Sequence, residues 1–263
     1  MVHTALTVAG SDNSGGAGIQ ADLKVFSAFG VYGMSAVTSI TVQNSLGVIS
    51  SSPVPSQLVY EQIRAVVEDI GADAVKIGML QTEENVIAVY QAVVDFGIKN
   101  IVVDTVVKSK NGKFLLDESA VDTFVKKIIP VSDILTPNID EAELITGIEI
   151  KSIDDMKKTA VEISKMGVDT VIVKGGHLPR GKKVVDVVYH EGEFLLMEYP
   201  YVETKNTHGT GCTFSSAITA CLSKGMDRIK AIRIARAYVQ GAIENSLSLG
   251  KGRGSLNHFW TVI

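Results

Sequence analysis

Cysteine is nearly absent from this 263-residue chain, which has two, Cys212 and Cys221. Both fall on one predicted helix, and at about 1.5 Å of rise per residue they lie roughly 13 Å apart. That is beyond disulfide reach, so no intrachain bridge is expected, as suits a reducing compartment. Proline is scarce too, at six residues, and no Pro/Ser-rich linker, low-complexity tract or fixed-period repeat divides the chain. One domain over residues 1–263 is the economical expectation. Excess positive charge is missing: the formal net charge is -4, which argues against a bulk binder of nucleic acid or of an anionic membrane. A polyanionic ligand must then be held locally, by backbone amides, a metal and one or two lysines. No apolar run reaches transmembrane length, and Met1-Val2-His3-Thr4 lacks the basic region of a signal peptide. A soluble, cytoplasmic protein is expected.

What the chain does contain is apolar and β-branched, with 46% hydrophobic residues and 24 glycines. Residues 5–9, 35–42, 74–77, 101–104, 133–136 and 170–174 read as short buried strands. Between them lie helix-period segments. The segment 82–96 carries Val86, Tyr90, Val93 and Val94 as its apolar stripe, with Glu83 and Glu84 favouring the dipole at its start. Residues 153–166 follow Ser152, with Asp155 three positions later, a capping-box pattern. Strands alternating with helices predict an α/β fold with three α/β/α layers, a mostly parallel central sheet covered by helices on both faces. Residues 184–190 and 194–199, joined at Glu191-Gly192-Glu193, read as a hairpin, and 227–247 as a long helix.

In such a sheet, ligands bind beyond the carboxyl ends of the strands, and each predicted strand ends in a chemically suggestive loop. The most informative is Asn206-Thr207-His208-Gly209-Thr210-Gly211-Cys212-Thr213, which runs into a buried helix. Unpaired N–H groups and the positive end of the helix dipole point into that loop. Glycines let an anion approach the main chain closely, so phosphate is the expected guest, with Cys212 beside it. After the first strand comes the turn Gly10-Ser11-Asp12-Asn13-Ser14-Gly15-Gly16-Ala17-Gly18, which lacks the Lys-Ser/Thr ending of a P-loop and the spacing of a dinucleotide fingerprint. Gln43 after the second offers a donor and an acceptor to a heteroaromatic edge, and Met79 after the third suits a ring. Asp104 at the end of the fourth suits Mg²⁺ or its water shell. Asn138 and Glu141 after the fifth share one helical turn; they fit either hydrated Mg²⁺ or a helix cap. Lys174 after the sixth suits nucleotide phosphates. His177 and His208 read as ordinary loop histidines.

With these residues in place, the chain resembles the ribokinase-like superfamily, and within it the hydroxymethylpyrimidine/phosphomethylpyrimidine kinases of thiamine biosynthesis. The resemblance covers nearly the whole chain and rests on the motifs at residues 9–24, 42–44, 76–80, 103–107, 136–143, 173–178 and 207–218. It implies transfer of the γ-phosphoryl of ATP, with Mg²⁺, to 4-amino-5-hydroxymethyl-2-methylpyrimidine and then to its monophosphate. By matching motif, Gly10, Asp22, Gln43, Met79 and Val106 would line the pyrimidine pocket. Asn138, Glu141, Lys174 and Thr207 would form the Mg-ATP side, with Asp104 and Glu141 toward the metal. Gly209, Thr210, Gly211 and Cys212 would form the anion hole. The family also implies a homodimer. Most ribokinase-like sugar kinases carry Asp where this chain has Cys212; a thiolate at a helix start is stabilised, which opens a base role. Residues 108–112 form a more basic and polar loop than the family's usual small-residue one. The rival readings are a pyridoxal kinase of the same architecture, with Gln43 as discriminator, and a catalytically idle pyrimidine- or nucleotide-binding module.

Overall fold

Buried β-branched runs become strands wherever glycine, proline or polar residues stop them. In a computed structural model describing residues 2–107, 114–176 and 182–261, the strands are β1 (Thr4–Ser11), β2 (Tyr32–Asn44), β3 (Gly47–Pro53), β4 (Ala74–Ile77), β5 (Ile101–Val103), β6 (Ile134–Leu135), β7 (Thr170–Val173), β8 (Lys183–His190) and β9 (Glu193–Pro200). The helices are α1 (Gly18–Ala28), α2 (Ser56–Asp69), α3 (Glu83–Asp95), α4 (Glu118–Lys127), α5 (Ile139–Thr146), α6 (Ile153–Ser164), α7 (Thr210–Ser223) and α8 (Arg228–Glu244). The strands form one nine-stranded sheet in the order β3-β2-β1-β4-β5-β6-β7-β8-β9. From β2 to β7 the neighbours run parallel; β3 at one edge, and β8 and β9 at the other, are antiparallel.

Side chains alternate across the sheet, as strand geometry dictates, and so feed two cores. In β5, Ile101 and Val103 pack with α2–α6, whereas Val102 packs with α7 and α8. In β7, Val171 and Val173 face the first group and Ile172 the second. The layers are thus α2–α6, the sheet, and α1 with α7 and α8, which is the three-layer arrangement expected. Residues Thr213 to Ser223 of α7 are all buried, as befits a helix apolar or small on every face.

Several local expectations need adjusting. β3, with the sequence GVISSSP, has little apolar signal; the edge pairing with β2 creates it. In α3 the buried stripe is Val86, Val89 and Val93, while Val94, expected on it, is 52% exposed. The long C-terminal helix is capped by Asp227 and ends at Glu244 rather than at 247. The hairpin turn narrows to Glu191 and Gly192, at φ 49° and 86°, the positive-φ pair of a type I′ turn. Strand order reverses between β1 and β4, since β2 lies on one side of β1 and the later strands on the other. Beyond the carboxyl ends of those two strands lies the switch point where open α/β sheets bind ligands.

Candidate active site

Two helix starts meet at this switch point, and neither has a side-chain cap. The first is α1, entered from Ala17; the second is α7, entered from Gly209 at φ 81°. The positive ends of two helices are left facing the same space. Cys212, in the first turn of α7, accepts a hydrogen bond from the Gly18 N–H. On its other side, a Cβ on Gly211 would lie 3.2 Å from Asp104 Oδ2 and 3.3 Å from Lys174 Nζ. The α7 start is therefore wedged between the α1 start and the Asp104–Lys174 pair.

The two glycine-rich loops are clasped together. Asp12 accepts from the Ser14, Gly16 and Ala17 N–H groups at 2.8, 3.1 and 2.8 Å, from Ser14 Oγ at 2.7 Å, and from His208 Nε2 at 2.9 Å. Burial would raise the Asp12 pKa, but bonds from His208, Ser14 and Gln43 outweigh it and hold the carboxyl well below its usual range. Contact is so close that a Cβ on Gly209 would come 1.8 Å from the Gly16 carbonyl oxygen. At φ 81° only glycine sits there without strain. Asp12 and His208 are 196 positions apart, and no sequence spacing pairs them. Behind α7, Thr213 Oγ1 meets His258 Nε2 at 3.0 Å, and burial, first among its causes, pushes His258 down to about 4.

The expected pyrimidine-side residues divide. Gly10, Met79 and Gln43 gather around the β1–α1 loop: a Cβ on Gly10 would touch Met79 Sδ at 3.1 Å and Ser39 Oγ at 2.8 Å. The Gln43 backbone N–H donates to Asn13 Oδ1 at 2.8 Å, and its side chain bonds Asp12. Val106 is half-buried, its N–H donating to the Asp104 carbonyl at 2.8 Å. Asp22 departs from expectation. It has no exposure and is saturated: Lys76 Nζ donates to both oxygens at 3.0 and 2.8 Å, Thr7 Oγ1 to one at 2.6 Å and Ser216 Oγ to the other at 2.6 Å. With its lone pairs spent below the site, Asp22 does not line the pocket. Ser39, Lys76, Ser216 and His208 are the neighbours that sequence reasoning passed over.

On the nucleotide side, Asn138 and Glu141 form a full capping box on α5, with Glu141 N–H on Asn138 Oδ1 at 3.0 Å and Asn138 N–H on Glu141 Oε2 at 2.8 Å. Thr105 Oγ1 donates to the same Oε2 at 2.8 Å. Burial pushes Glu141 up to about 7; Lys174 opposes and Asp104 adds to the rise. Lys174 Nζ bonds Asp104 Oδ1 at 3.1 Å, and although burial works downward, Asp104 and Glu141 raise its pKa. Thr207 lies before the anion-hole loop, its carbonyl accepting from Thr210 Oγ1 at 2.8 Å. Cys212 contradicts the expectation of a stabilised thiolate: burial pushes the thiol up to about 11, against the pull of Lys76. Desolvation of a charged sulfur outweighs both Lys76 and the Gly18 N–H, which favour the thiolate. Cys212 and Cys221 are both free. His177 and the loop 108–112 lie outside the described residues.

Among the described residues, no three His, Cys, Asp or Glu side chains gather as a metal cage, and no helix is long and apolar enough to cross a membrane. Asp104 and Glu141 offer two hard carboxylates, with Asp104 close enough to add to the rise of the Glu141 pKa. That suits Mg²⁺, which keeps several waters and binds through one or two carboxylates together with substrate phosphates.

Comparison with known proteins agrees with this geometry. The profile of the phosphomethylpyrimidine kinase family matches residues 12–257. The chain is similar to the hydroxymethylpyrimidine/phosphomethylpyrimidine kinase of Bacillus subtilis (strain 168), 44% identical over 98% of this chain and 95% of that one. Its fold matches the crystal structure of phosphomethylpyrimidine kinase from Clostridium difficile 630 with a TM-score of 0.82 at 43% identity, covering 92% and 99% of the two chains. It also matches an ADP complex of Bacillus subtilis pyridoxal kinase with a TM-score of 0.91 at 35% identity, covering 99% of each. The layered sheet is the ribokinase-like fold that these structures share.

Proposed function

The chain belongs to the phosphomethylpyrimidine kinase family, and from that premise we propose that it phosphorylates 4-amino-5-hydroxymethyl-2-methylpyrimidine with ATP, then phosphorylates the monophosphate to the diphosphate. The observation that carries this reading is the meeting of two uncapped helix starts beside the Asp104–Lys174 pair. The whole chain acts as one kinase domain. Gly10, Gln43 and Met79 take the ring, and the carboxamide of Gln43, turned by Asp12, meets its polar edge. Lys174 and Thr207 belong to the ATP side.

Phosphoryl transfer has a loose transition state with charge on the equatorial oxygens, so positioning and electrostatics dominate. The N–H groups of Gly211 and Cys212 face that charge. The acceptor oxygen bonds to phosphorus as the bond to the β-phosphate oxygen breaks, and ADP leaves with that electron pair. The Cys212 thiol is mostly protonated near neutral pH, so its ionised fraction takes the hydroxyl proton only late, once O–P bond formation has made that hydroxyl acidic, and then passes it to solvent. Asp104 and Glu141 would hold Mg²⁺, which when bound neutralises phosphate charge.

Mass spectrometry of a reaction with the pyrimidine alcohol, Mg²⁺ and ATP should show the monophosphate and then the diphosphate. Efficient formation of pyridoxal phosphate with no phosphorylated pyrimidine would favour the pyridoxal-kinase reading instead. In the same assay Gln43→Met should cost about 1–3 kcal/mol in kcat/KM for the pyrimidine and less for pyridoxal. Equal losses would make Gln43 structural. The homodimer we place at the β3 edge, where Ile40, Val42 and Ile49 are exposed beside an edge strand. Light scattering should report a dimer for the parent and a monomer for Ile40→Lys/Ile49→Lys; a parent monomer would end that assignment.

A further inference from the structure

A lysine with no exposure in the middle of a four-residue strand needs a reason. Every residue of β4 is buried, Lys76 included. Its ion pair with Asp22 at 2.8 Å does not supply one, since buried pairs give little net stability over apolar residues of similar volume. The surrounding geometry does. Asp22, on α1, links Lys76 on β4 to Thr7 on β1 and Ser216 on α7. Ser216 lies four residues after Cys212, so the two share one face of α7. A Cβ on Gly78 would come 3.0 Å from Lys76 Nζ, so the absence of a side chain there makes room for the ammonium. The pair thus ties both strands of the switch point to the helix that carries the anion hole.

We propose that Lys76 is a positioning residue for phosphoryl transfer: pinned by Asp22, its ammonium holds the first turns of α7 in place through Ser216 and sets the charge environment of the Cys212 thiol. This rests on the kinase reading above and deepens it. The charges facing Cys212 come from four elements or their ends. Lys76 from β4 and Lys174 after β7 favour the thiolate; Asp22 from α1 and Asp104 after β5 oppose it. Burial outweighs them all, and Lys76 is the strongest of the charges that act against it. Removing the Lys76 charge should therefore move the thiol further from ionisation, whereas removing Asp22 with it also lifts a charge that opposes the thiolate. A merely structural loss would do the opposite, because a loosened helix start admits water and returns a cysteine toward its ordinary pKa.

The test is the rate at which iodoacetamide alkylates Cys212 at pH 8.5, resolved from Cys221 by peptide mass spectrometry. It is measured in the parent, in Lys76→Met and in Lys76→Met/Asp22→Asn, which keeps the shapes and removes both charges. In Lys76→Met alkylation should slow by at least about threefold, half a unit of thiol pKa, and by less in the double variant, which also loses the opposing Asp22 charge. kcat should fall while the pyrimidine KM stays within about twofold. In a Cys212→Ala background, Lys76→Met should then cost less than it does alone, the non-additivity of residues acting as one unit. Faster or unchanged alkylation, or additive losses, would overturn the proposal; so would failure of both variants to fold, since the pair would then be structural alone. Alkylation needs no turnover, so the proposal can fail while the kinase reading stands. That reading fails separately, if the parent phosphorylates no pyrimidine.

Discussion

Glu141 answers to two requirements at once. One oxygen closes the α5 capping box and accepts from Thr105, while burial pushes the carboxyl up from 4.5 to about 7. Folded protein therefore binds this proton more tightly than unfolded chain does. The resulting stability is complete below about pH 4.5 and lost as pH rises through about 7. Glu141→Gln keeps a capping-box side chain and cannot ionise, so its Tm relative to the parent should climb between pH 5 and pH 8. A constant difference over that range would show that Glu141 is already ionised at pH 5. The same variant should raise the Mg²⁺ requirement more than the pyrimidine KM. Met79 and Lys174 lie just past the ends of β4 and β7, where the sequence placed them, whereas Gln43, expected after the second strand, lies within β2 paired with Val48, and Gly211 lies in the first turn of α7. Asp22 was misplaced for a physical reason. Its partners Thr7, Lys76 and Ser216 come from three other elements, and nothing local to residue 22 reveals that its lone pairs are spent.

The start of α7 does its work through the backbone, which separates the helix from its cysteine. Cys212→Ala keeps the N–H and removes a thiol that is protonated near neutral pH, so kcat should fall by about 10²-fold or less, the low end for an acid–base group. Gly211→Val pushes a side chain against Asp104 and Lys174, already 3.2 and 3.3 Å from a bare Cβ, and should cost more. Both are read as kcat on variants whose circular dichroism matches the parent. An inactive Cys212→Ala beside an active Gly211→Val would transfer the chemistry to the thiol. Elements with strong periodicity or an apolar run were legible in outline, β4 to the residue and α3 to its caps. What escaped was set by pairing rather than by pattern. β3 is a serine-rich strand made by its neighbour, and the α3 stripe is rotated so that Val89, not Val94, meets the core.

At the scale of the molecule, the parallel sheet with its covering helices followed from the alternation of strand and helix segments, whereas the joining of the two glycine loops did not. That clasp has a consequence for how the protein comes into being. Asp12 and His208 are 196 positions apart, and contacts of such separation are slow to form because loop closure must precede them. The single tryptophan, Trp260, reports on something far more local: its Nε1 bonds the Tyr238 carbonyl at 3.2 Å, 22 positions away. After dilution from denaturant, Trp260 fluorescence should recover before kinase activity, followed by stopped flow and by timed additions of ATP and pyrimidine. Activity returning no later than fluorescence would place the clasp early instead. With the expected order, a ribosome must release nearly the entire chain before any ATP can be consumed. Enzymatic competence is then a certificate of finished folding, issued by the first loop and the last meeting.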